Sequence, residues 1–187
     1  MTTVGVVLAA GGGTRFGRPK AAVEVGGETL AVRSARAARR GGCDEVVVVV
    51  GPVSVDLDPT DQVIRNDGWA SGVGGSLTAG LDAAADLGGD RALVVLCDQP
   101  WIGAPVIRAV LDAAPRGRAA LAATTFDGRR SHPVLLGADH WAGVRDLALG
   151  DVGARPYLER HRDDLVAVAA DGLGDPADID RPDDLPG

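Results

Sequence analysis

The chain of 187 residues is acidic, with a net charge of −7, and its composition excludes several classes of protein. The length suits a single domain spanning residues 1–187. Arginines are scattered along the sequence instead of forming one basic stripe, which argues against nucleic acid as a partner. No apolar run reaches the about 20 residues of a membrane span, and the first residues lack a secretory signal pattern. We therefore expect a cytoplasmic protein without a membrane partner.

The first predicted strand, Thr3 to Ala9, leads into a glycine-rich loop. Residues 8–20 are LAAGGGTRFGRPK, in which three cations are spaced between glycines. Glycine lets main-chain N–H groups approach a phosphate, and cations complete an anion-binding cradle. Lys20 is the only lysine in a chain that otherwise uses arginine, which indicates that a compact ammonium is required there. The loop predicts a triphosphate-binding site, with a flexible surface loop as the alternative.

Two better-known glycine loops do not match this segment. A Walker loop requires Gly-Lys-Ser/Thr, but Gly17 is followed by Arg18 and Pro19. The dinucleotide-binding fingerprint requires a third glycine where this chain has Phe16. The second mismatch counts against a nicotinamide-dependent oxidoreductase.

Strands and helices alternate along the rest of the chain. The predicted strands after the first are 21–25 (short and extended), 46–50, 62–65, 92–97, 119–124, 132–136 and 165–169. The predicted helices are 29–40 (capped by Thr29 and stopped by Gly41-Gly42), 77–87, 104–114, 138–149 and 153–161. This alternation predicts a mostly parallel three-layer α/β fold, and the hairpin turn at residues 127–128 makes the sheet mixed.

Two further segments carry candidate functional residues. A second Gly/Ser-rich loop, residues 66–76, precedes a helix, whose free N–H groups could contact an anion or a nucleobase; an ordinary turn is the alternative. Asp98 follows a buried strand, and open α/β sheets bind ligands at the carboxyl ends of such strands. Asp98 is therefore a metal-ligand candidate, with a turn or N-cap aspartate as the alternative. Cys43 and Cys97 lack metal-site spacing and are expected to be reduced, buried thiols.

Together these segments resemble the small nucleotidyltransferases of molybdenum cofactor biosynthesis, and most closely the molybdenum cofactor cytidylyltransferase family. The resemblance follows the order of the chain over nearly its whole length. It rests on residues 8–20, on Asn66, Trp69, Gly72 and Ser76-Leu77, on LCDQP at 96–100, HPV at 132–134, GDVGAR at 150–155 and DID at 178–180.

The resemblance implies a Rossmann-like nucleotidyltransferase fold and a Mg²⁺-dependent reaction of CTP with a molybdopterin-type cofactor. It implies that Asp98 and Asp180 hold the metal and that Arg15 and Lys20 contact the phosphates. Arg15, Lys20 and Asp98 are thus the expected catalytic residues. The expected nucleotide-binding residues are Leu8, Ala9, Ala10, Gly11, Gly12, Gly13, Asn66, Ser71, Gly75 and Ser76.

The expected acceptor-binding residues are His132, Asp151 and Arg155. For His132 the alternative is an ordinary packed or capping residue, and for the other two it is helix capping and surface pairing. Transient docking to a molybdoenzyme or its chaperone is a further expectation from the resemblance.

The choice of nucleotide base depends on two alanines before the first glycine. Ala9-Ala10 resembles the cytidylyl version of the loop, whereas guanylyl relatives tend to have a glycine there. A methyl group beside the base could narrow the pocket against a purine, but such discrimination is worth only about 1–3 kcal/mol. The alternatives are a GTP-using relative, an enzyme that acts on another phosphorylated acceptor such as a sugar phosphate, and a non-catalytic nucleotide-binding regulatory module.

Overall fold

The computed structural model describes residues 1–185, in which helices cover both faces of a seven-stranded sheet. The strands are β1 Thr3–Ala9, β2 Glu24–Val25, β3 Glu28–Thr29, β4 Glu45–Val50, β5 Gln62–Arg65, β6 Arg91–Leu96, β7 Leu121–Phe126, β8 Arg129–Gly137 and β9 Val166–Ala169. The helices are α1 Leu30–Gly41, α2 Val73–Asp86, α3 Ala104–Ala113, α4 Trp141–Leu147 and α5 Arg155–Arg160. Within the described residues, no helix is long and apolar enough to cross a membrane.

The strand order in the main sheet is β5-β4-β1-β6-β8-β7-β9. Neighbouring strands are parallel except at β8, which pairs antiparallel with both β6 and β7. β2 and β3 form a separate two-stranded sheet. The three-layer α/β fold with a mostly parallel mixed sheet is therefore confirmed.

The apolar central strands form a core on each face of the sheet. Every residue of β1 is buried, as expected for a strand that is covered on both sides. Val7 and Ala9 lie in the core that includes residues of α1 and α3. Val6 and Leu8 lie in the opposite core, with residues of α2, α4 and α5. Successive residues of β1 thus contribute alternately to the two cores, and the strand ends at the glycine-rich loop.

Helix α2 begins at Val73, four residues before the predicted start at Leu77. Two of its glycines allow unusually close packing. A Cβ on Gly74 would lie 1.9 Å from the carbonyl oxygen of Ala148, and one on Gly80 would lie 2.3 Å from Val6 Cγ1. The intrinsic cost of glycine in a helix, about 1 kcal/mol, is overridden by this packing. The prediction that the loop extends to residue 76 was therefore wrong for residues 73–76, which belong to α2.

Other boundaries differ from prediction by a few residues. Residues 20–22 form a 3₁₀ turn before β2 instead of a continuous extended segment. Thr29 caps α1 as predicted, since its Oγ1 accepts a hydrogen bond from Val32 N at 3.4 Å. Gly41 lies within α1, and Gly42, with φ of 113°, ends the helix. Cys43 and Cys97 are free, buried thiols, as expected.

Candidate active site

A cavity of about 360 Å³ opens at the carboxyl ends of β1 and β6. It lies between the first glycine-rich loop and the second, which is the edge of the sheet where α/β proteins bind ligands. The predicted site residues that line it are Leu8, Ala10, Gly11, Gly12, Lys20, Ser76, Asp98 and Asp151. We call it the nucleotide cavity.

Lys20 joins two carboxylates from distant parts of the sequence. Its Nζ donates to Asp98 Oδ2 at 2.9 Å and also to Asp180 Oδ1. Arg15 Nη1 lies 3.7 Å from the other oxygen of Asp180. The structure therefore brings together the four residues for which we expected a role in phosphate or metal binding. Those roles themselves stay predictions.

The charges of this cluster stabilise one another. Burial acts to lower the pKa of Lys20, but the hydrogen bond and charge from Asp180, together with those from Asp98, outweigh it and raise the pKa above its ordinary value. The hydrogen bond from Lys20 holds the pKa of Asp180 below its usual range, with help from Arg15. Lys20 is thus an ammonium and Asp180 a carboxylate at neutral pH.

The C-terminal segment reaches the cluster by attaching to the end of β6. Ile179 is fully buried, and its N–H donates to the carbonyl oxygen of Asp98 at 2.8 Å. Gln99 holds the same segment, because its Nε2 donates to Pro176 O at 3.1 Å and to Asp178 Oδ1 at 3.0 Å. These contacts place Asp180 beside Lys20.

The first loop depends on glycine at two positions. Gly13 has φ of +60°, and a Cβ there would lie 1.8 Å from the carbonyl oxygen of Arg18. The Gly13 carbonyl accepts hydrogen bonds from Phe16 N and Gly17 N at 2.9 and 2.7 Å, which shapes the turn. A Cβ on Gly12 would lie 2.3 Å from the ring of Trp69, so the first loop packs directly on the second. Trp69 also lines the nucleotide cavity, although it was outside the predicted set.

The second loop is held by side chains that we expected to contact the nucleotide. Asn66 Nδ2 donates to Ser76 Oγ at 3.0 Å, and Asn66 Oδ1 accepts from Gly68 N at 3.0 Å. Ser71 Oγ donates to Gly68 O at 2.7 Å. Of this group only Ser76 lines the cavity.

Several predicted residues lie beside the nucleotide cavity and do not line it. They are Ala9, Gly13, Arg15, Asn66, Ser71 and Gly75. Ala9 belongs to the core that includes α1, because its side chain and that of Ala10 lie on opposite faces of the sheet. A direct contact of these residues with nucleotide stays a prediction.

A second cavity, of about 430 Å³, contains all three predicted acceptor-binding residues: His132, Asp151 and Arg155. We call it the acceptor cavity. It shares Leu8, Leu96, Val73 and Asp151 with the nucleotide cavity, so the two adjoin. Gln99, Arg130 and Asp178 also line it, although none of them was in the predicted set of site residues.

The electrostatics of the acceptor cavity differ from those of the Lys20 cluster. Burial lowers the pKa of His132 to about 4, and the positive charges of Arg130 and Arg155 act in the same direction against the opposing charge of Asp98. His132 is therefore neutral at physiological pH. It can accept or donate a hydrogen bond without adding charge.

Asp98 and Asp180 are suitable ligands for a hard divalent cation. Mg²⁺ is usually held by one or two protein carboxylates, with water and substrate phosphates completing its octahedron. Across residues 1–185, no group of three or more His, Cys, Asp or Glu side chains is arranged to hold a metal. Two carboxylates close to a predicted phosphate-binding loop fit a metal that arrives with a nucleotide.

The fold and this site define a nucleotidyltransferase. Residues 5–165 match the family model described as MobA-like NTP transferase domain, and the chain belongs to this family. The recognition of the molybdenum cofactor nucleotidyltransferase-like family and the enzyme class are thereby confirmed.

Known proteins similar to this chain carry different functional names. Nicotine blue oxidoreductase of Paenarthrobacter nicotinovorans is 36% identical over 188 residues, which cover 93% of this chain and 91% of the relative. Molybdenum cofactor guanylyltransferase of Rhodobacter capsulatus is 27% identical over 204 residues, covering 99% and 94%. A solved structure from Mycobacterium sp. strain JC1 has a TM-score of 0.79 at 28% identity, covering 97% of this chain and 92% of its own.

Proposed function

We propose that this nucleotidyltransferase transfers CMP from CTP to the terminal phosphate of a molybdopterin-type molybdenum cofactor and releases pyrophosphate, with Mg²⁺ as its metal. The observation that carries the proposal is the cluster of Lys20, Asp98 and Asp180 at a cavity bounded by the first glycine-rich loop. We expect the reaction to take place in the cytoplasm, with transient docking to a molybdoenzyme or its chaperone.

The transfer requires no nucleophile from the protein. An oxygen of the acceptor phosphate attacks the α-phosphorus of CTP, and the bond to the departing pyrophosphate breaks in line with that attack. Catalysis then consists of positioning and charge stabilisation. Asp98 and Asp180 would hold Mg²⁺, which supplies charge neutralisation at the phosphate oxygens. Lys20 and Arg15 bind the β- and γ-phosphates and stabilise the charge that develops on pyrophosphate.

The acceptor cavity supplies the second substrate site. Because the two cavities share a wall, an acceptor phosphate bound in one would lie near the phosphates of a nucleotide bound in the other. Arg155 binds the acceptor phosphate, and neutral His132 orients it through a hydrogen bond. The name of the Rhodobacter capsulatus relative supports molybdenum cofactor as the acceptor.

The preference for CTP rests on the alanines of the first loop. Ala10 lines the nucleotide cavity whereas Ala9 packs into the opposite core, so the methyl group of Ala10 is the one that would narrow a base site in this cavity. GTP is the second candidate, because the Rhodobacter capsulatus relative is a guanylyltransferase by name.

Release of pyrophosphate tests the proposal directly. The full chain would be incubated with CTP, GTP or ATP, with Mg²⁺ or Mn²⁺, and with purified molybdopterin-type cofactor or a sugar phosphate. We expect CTP with the cofactor to give the highest kcat/KM, about tenfold or more above GTP, as a contact of about 1–3 kcal/mol allows. A higher value with GTP would overturn the base assignment, and pyrophosphate release only with a sugar phosphate would overturn the acceptor.

An oxidoreductase activity is favoured by one observation, the 36% identity with nicotine blue oxidoreductase. The same protein would be tested for oxidation of NADH or NADPH in the presence of nicotine blue. We expect no oxidation above that of an Asp98→Asn variant. Reduction of the dye without any pyrophosphate release from nucleotides would replace our proposal with the redox one.

A further inference from the structure

The ammonium of Lys20 occupies the position between the two carboxylates proposed to hold the metal. Its Nζ hydrogen-bonds to Asp98 Oδ2 at 2.9 Å and to Asp180 Oδ1, so both carboxylates already have a cation. The side chains of Lys20 and Asp98 are 13% and 26% exposed, so water screens this ion pair weakly, whereas Asp180 is 45% exposed. A divalent ion held by Asp98 and Asp180 would therefore compete with the ammonium for these carboxylates.

The charges of the cluster are balanced without a metal. Asp98 and Asp180 carry two negative charges, and Lys20 with Arg15 carries two positive ones. A divalent cation arriving alone would meet an ammonium at close range and leave the cluster with excess positive charge. A nucleoside triphosphate brings the negative charge that can attract Lys20 and Arg15 away from the carboxylates.

We propose that Lys20 is a resident cation that keeps free divalent metal away from Asp98 and Asp180 and exchanges to the phosphates when a nucleotide binds. Metal and nucleotide therefore bind together, and the metal-free protein holds its two carboxylates in place for them. This inference rests on the proposed metal and nucleotide binding at this site.

The backbone around Lys20 allows the side chain to move alone. Lys20 begins a 3₁₀ turn, and the next residue, Ala21, is fully buried in the core. The lysine side chain has four methylene carbons and a terminal ammonium that rotates freely. The planar guanidinium of arginine instead forms bidentate hydrogen bonds with carboxylates. Lys20 lines the nucleotide cavity, so phosphates bound there lie within reach of its head group. A lysine suits this exchange better than the arginine used elsewhere in the chain.

Binding of Mn²⁺ to the full chain without nucleotide tests the exchange. Free Mn²⁺ would be measured by electron paramagnetic resonance for the wild-type protein and for Lys20→Met, which keeps most of the stem and removes the charge. We expect Lys20→Met to bind Mn²⁺ about tenfold more tightly, because the competing cation is gone. Addition of α,β-methylene CTP should tighten Mn²⁺ binding about tenfold in the wild type and by a smaller factor in the variant.

Two further variants serve as controls. Arg18→Met removes a cation from the same loop, and within the described residues Arg18 contacts the Phe16 ring and no carboxylate. Its Mn²⁺ affinity should stay within about twofold of wild type, because exposed charges are screened. Lys20→Arg keeps a cation between the carboxylates and should keep Mn²⁺ binding weak.

Unchanged or weaker Mn²⁺ binding by Lys20→Met, with a circular dichroism spectrum like that of the wild type, would overturn the inference. Tighter binding by Arg18→Met to the same degree would also overturn it, since the effect would then reflect loop charge in general. Pyrophosphate release is measured separately. The exchange can therefore fail while the proposed transferase activity stands, and the reverse outcome is equally visible.

Discussion

The nucleotide cavity and the acceptor cavity share a wall but hold their cations differently. In the nucleotide cavity, Lys20 is paired with Asp98 and Asp180. In the acceptor cavity, Arg130 reaches Glu159 only at 3.9 Å, and Arg155 has no ion-pair partner within residues 1–185. The nucleotide cavity thus holds its lysine in close ion pairs before a substrate arrives, whereas the acceptor cavity presents guanidinium groups that lack close ion pairs.

This difference indicates how the two sites contribute to the reaction. Charges held next to the reacting phosphates are typical of groups that stabilise a transition state. Weakly paired arginines are typical of groups that bind an anionic substrate in the ground state. Changes in the first cavity should therefore lower kcat, and changes in the second should raise KM for the acceptor.

The largest effect is expected for Asp98→Asn. The amide keeps the shape of the side chain but removes the charge that would hold the metal, so metal-dependent pyrophosphate release should fall by about 10³-fold or more. The unfolding midpoint should change little. Asp183→Asn, in the C-terminal segment that carries Asp180, is the control and should keep full activity. Comparable losses in both variants would show that charge density and not a metal ligand is responsible.

Lys20→Ala should lower kcat by about 10²–10³-fold, the typical cost of removing one donor that stabilises transition-state charge. The fold should be intact, because the side chain projects from a turn into a cavity. Steady-state kinetics at saturating CTP is the measurement. Turnover at the wild-type rate would contradict the assignment of Lys20 to the phosphates.

Arg155→Ala should raise KM for the acceptor about tenfold, because one charge-assisted hydrogen bond is lost. KM for CTP should stay unchanged. Arg160→Ala, on the same helix but outside the acceptor cavity, is the control. If Arg155→Ala lowered only kcat and left the acceptor KM unaltered, it would contradict the assignment of the acceptor cavity to ground-state binding.

The effect expected from His132 appears in stability and not in catalysis. Its pKa is about 4 in the folded protein, against about 6.5 for an unperturbed histidine. Between these values the unfolded chain binds more protons, so this group's contribution to the free energy of unfolding falls as the pH is lowered. From pH 7 to pH 5 the loss is about 2 kcal/mol. His132→Gln should remove this pH-dependent contribution to the free energy of unfolding, as measured by urea unfolding at pH 7 and pH 5. If the variant loses as much stability between these pH values as the wild type, burial of His132 is not the cause.

Sequence patterns predicted the sheet well because its buried strands are continuous apolar runs. Continuous apolar runs marked β1 and β4, and the β1 bounds agree with the structure. The start of α2 could not be predicted, because glycine disfavours a helix. The close contact with Ala148, which leaves no room for a Cβ at Gly74, explains why glycine is present there. Helix propensity is local, whereas that contact joins residues far apart in the sequence.

The site residues that directly follow a predicted strand could be predicted from the sequence. Those that come from distant parts of the sequence could not. The first loop and Asp98 follow strands directly, so their position at the sheet edge could be inferred from the residues. The position of Asp180 came only from the family resemblance. Arg130 and Asp178 were missed because a hairpin and an irregular tail bring them to the acceptor cavity, and neither has a periodicity that fixes where its side chains lie.

The contact between Trp69 and Gly12 has a practical consequence. Trp69 borders the nucleotide cavity, whereas Trp141 is buried in the core and donates its indole N–H to Leu136 O at 2.9 Å. Indole fluorescence responds to the polarity and charge around the ring, so substrate arrival alters the surroundings of Trp69 and leaves Trp141 in a constant environment. The third tryptophan, Trp101, lines neither cavity. The protein thus carries an intrinsic optical reporter at the mouth of the cavity, beside an internal reference.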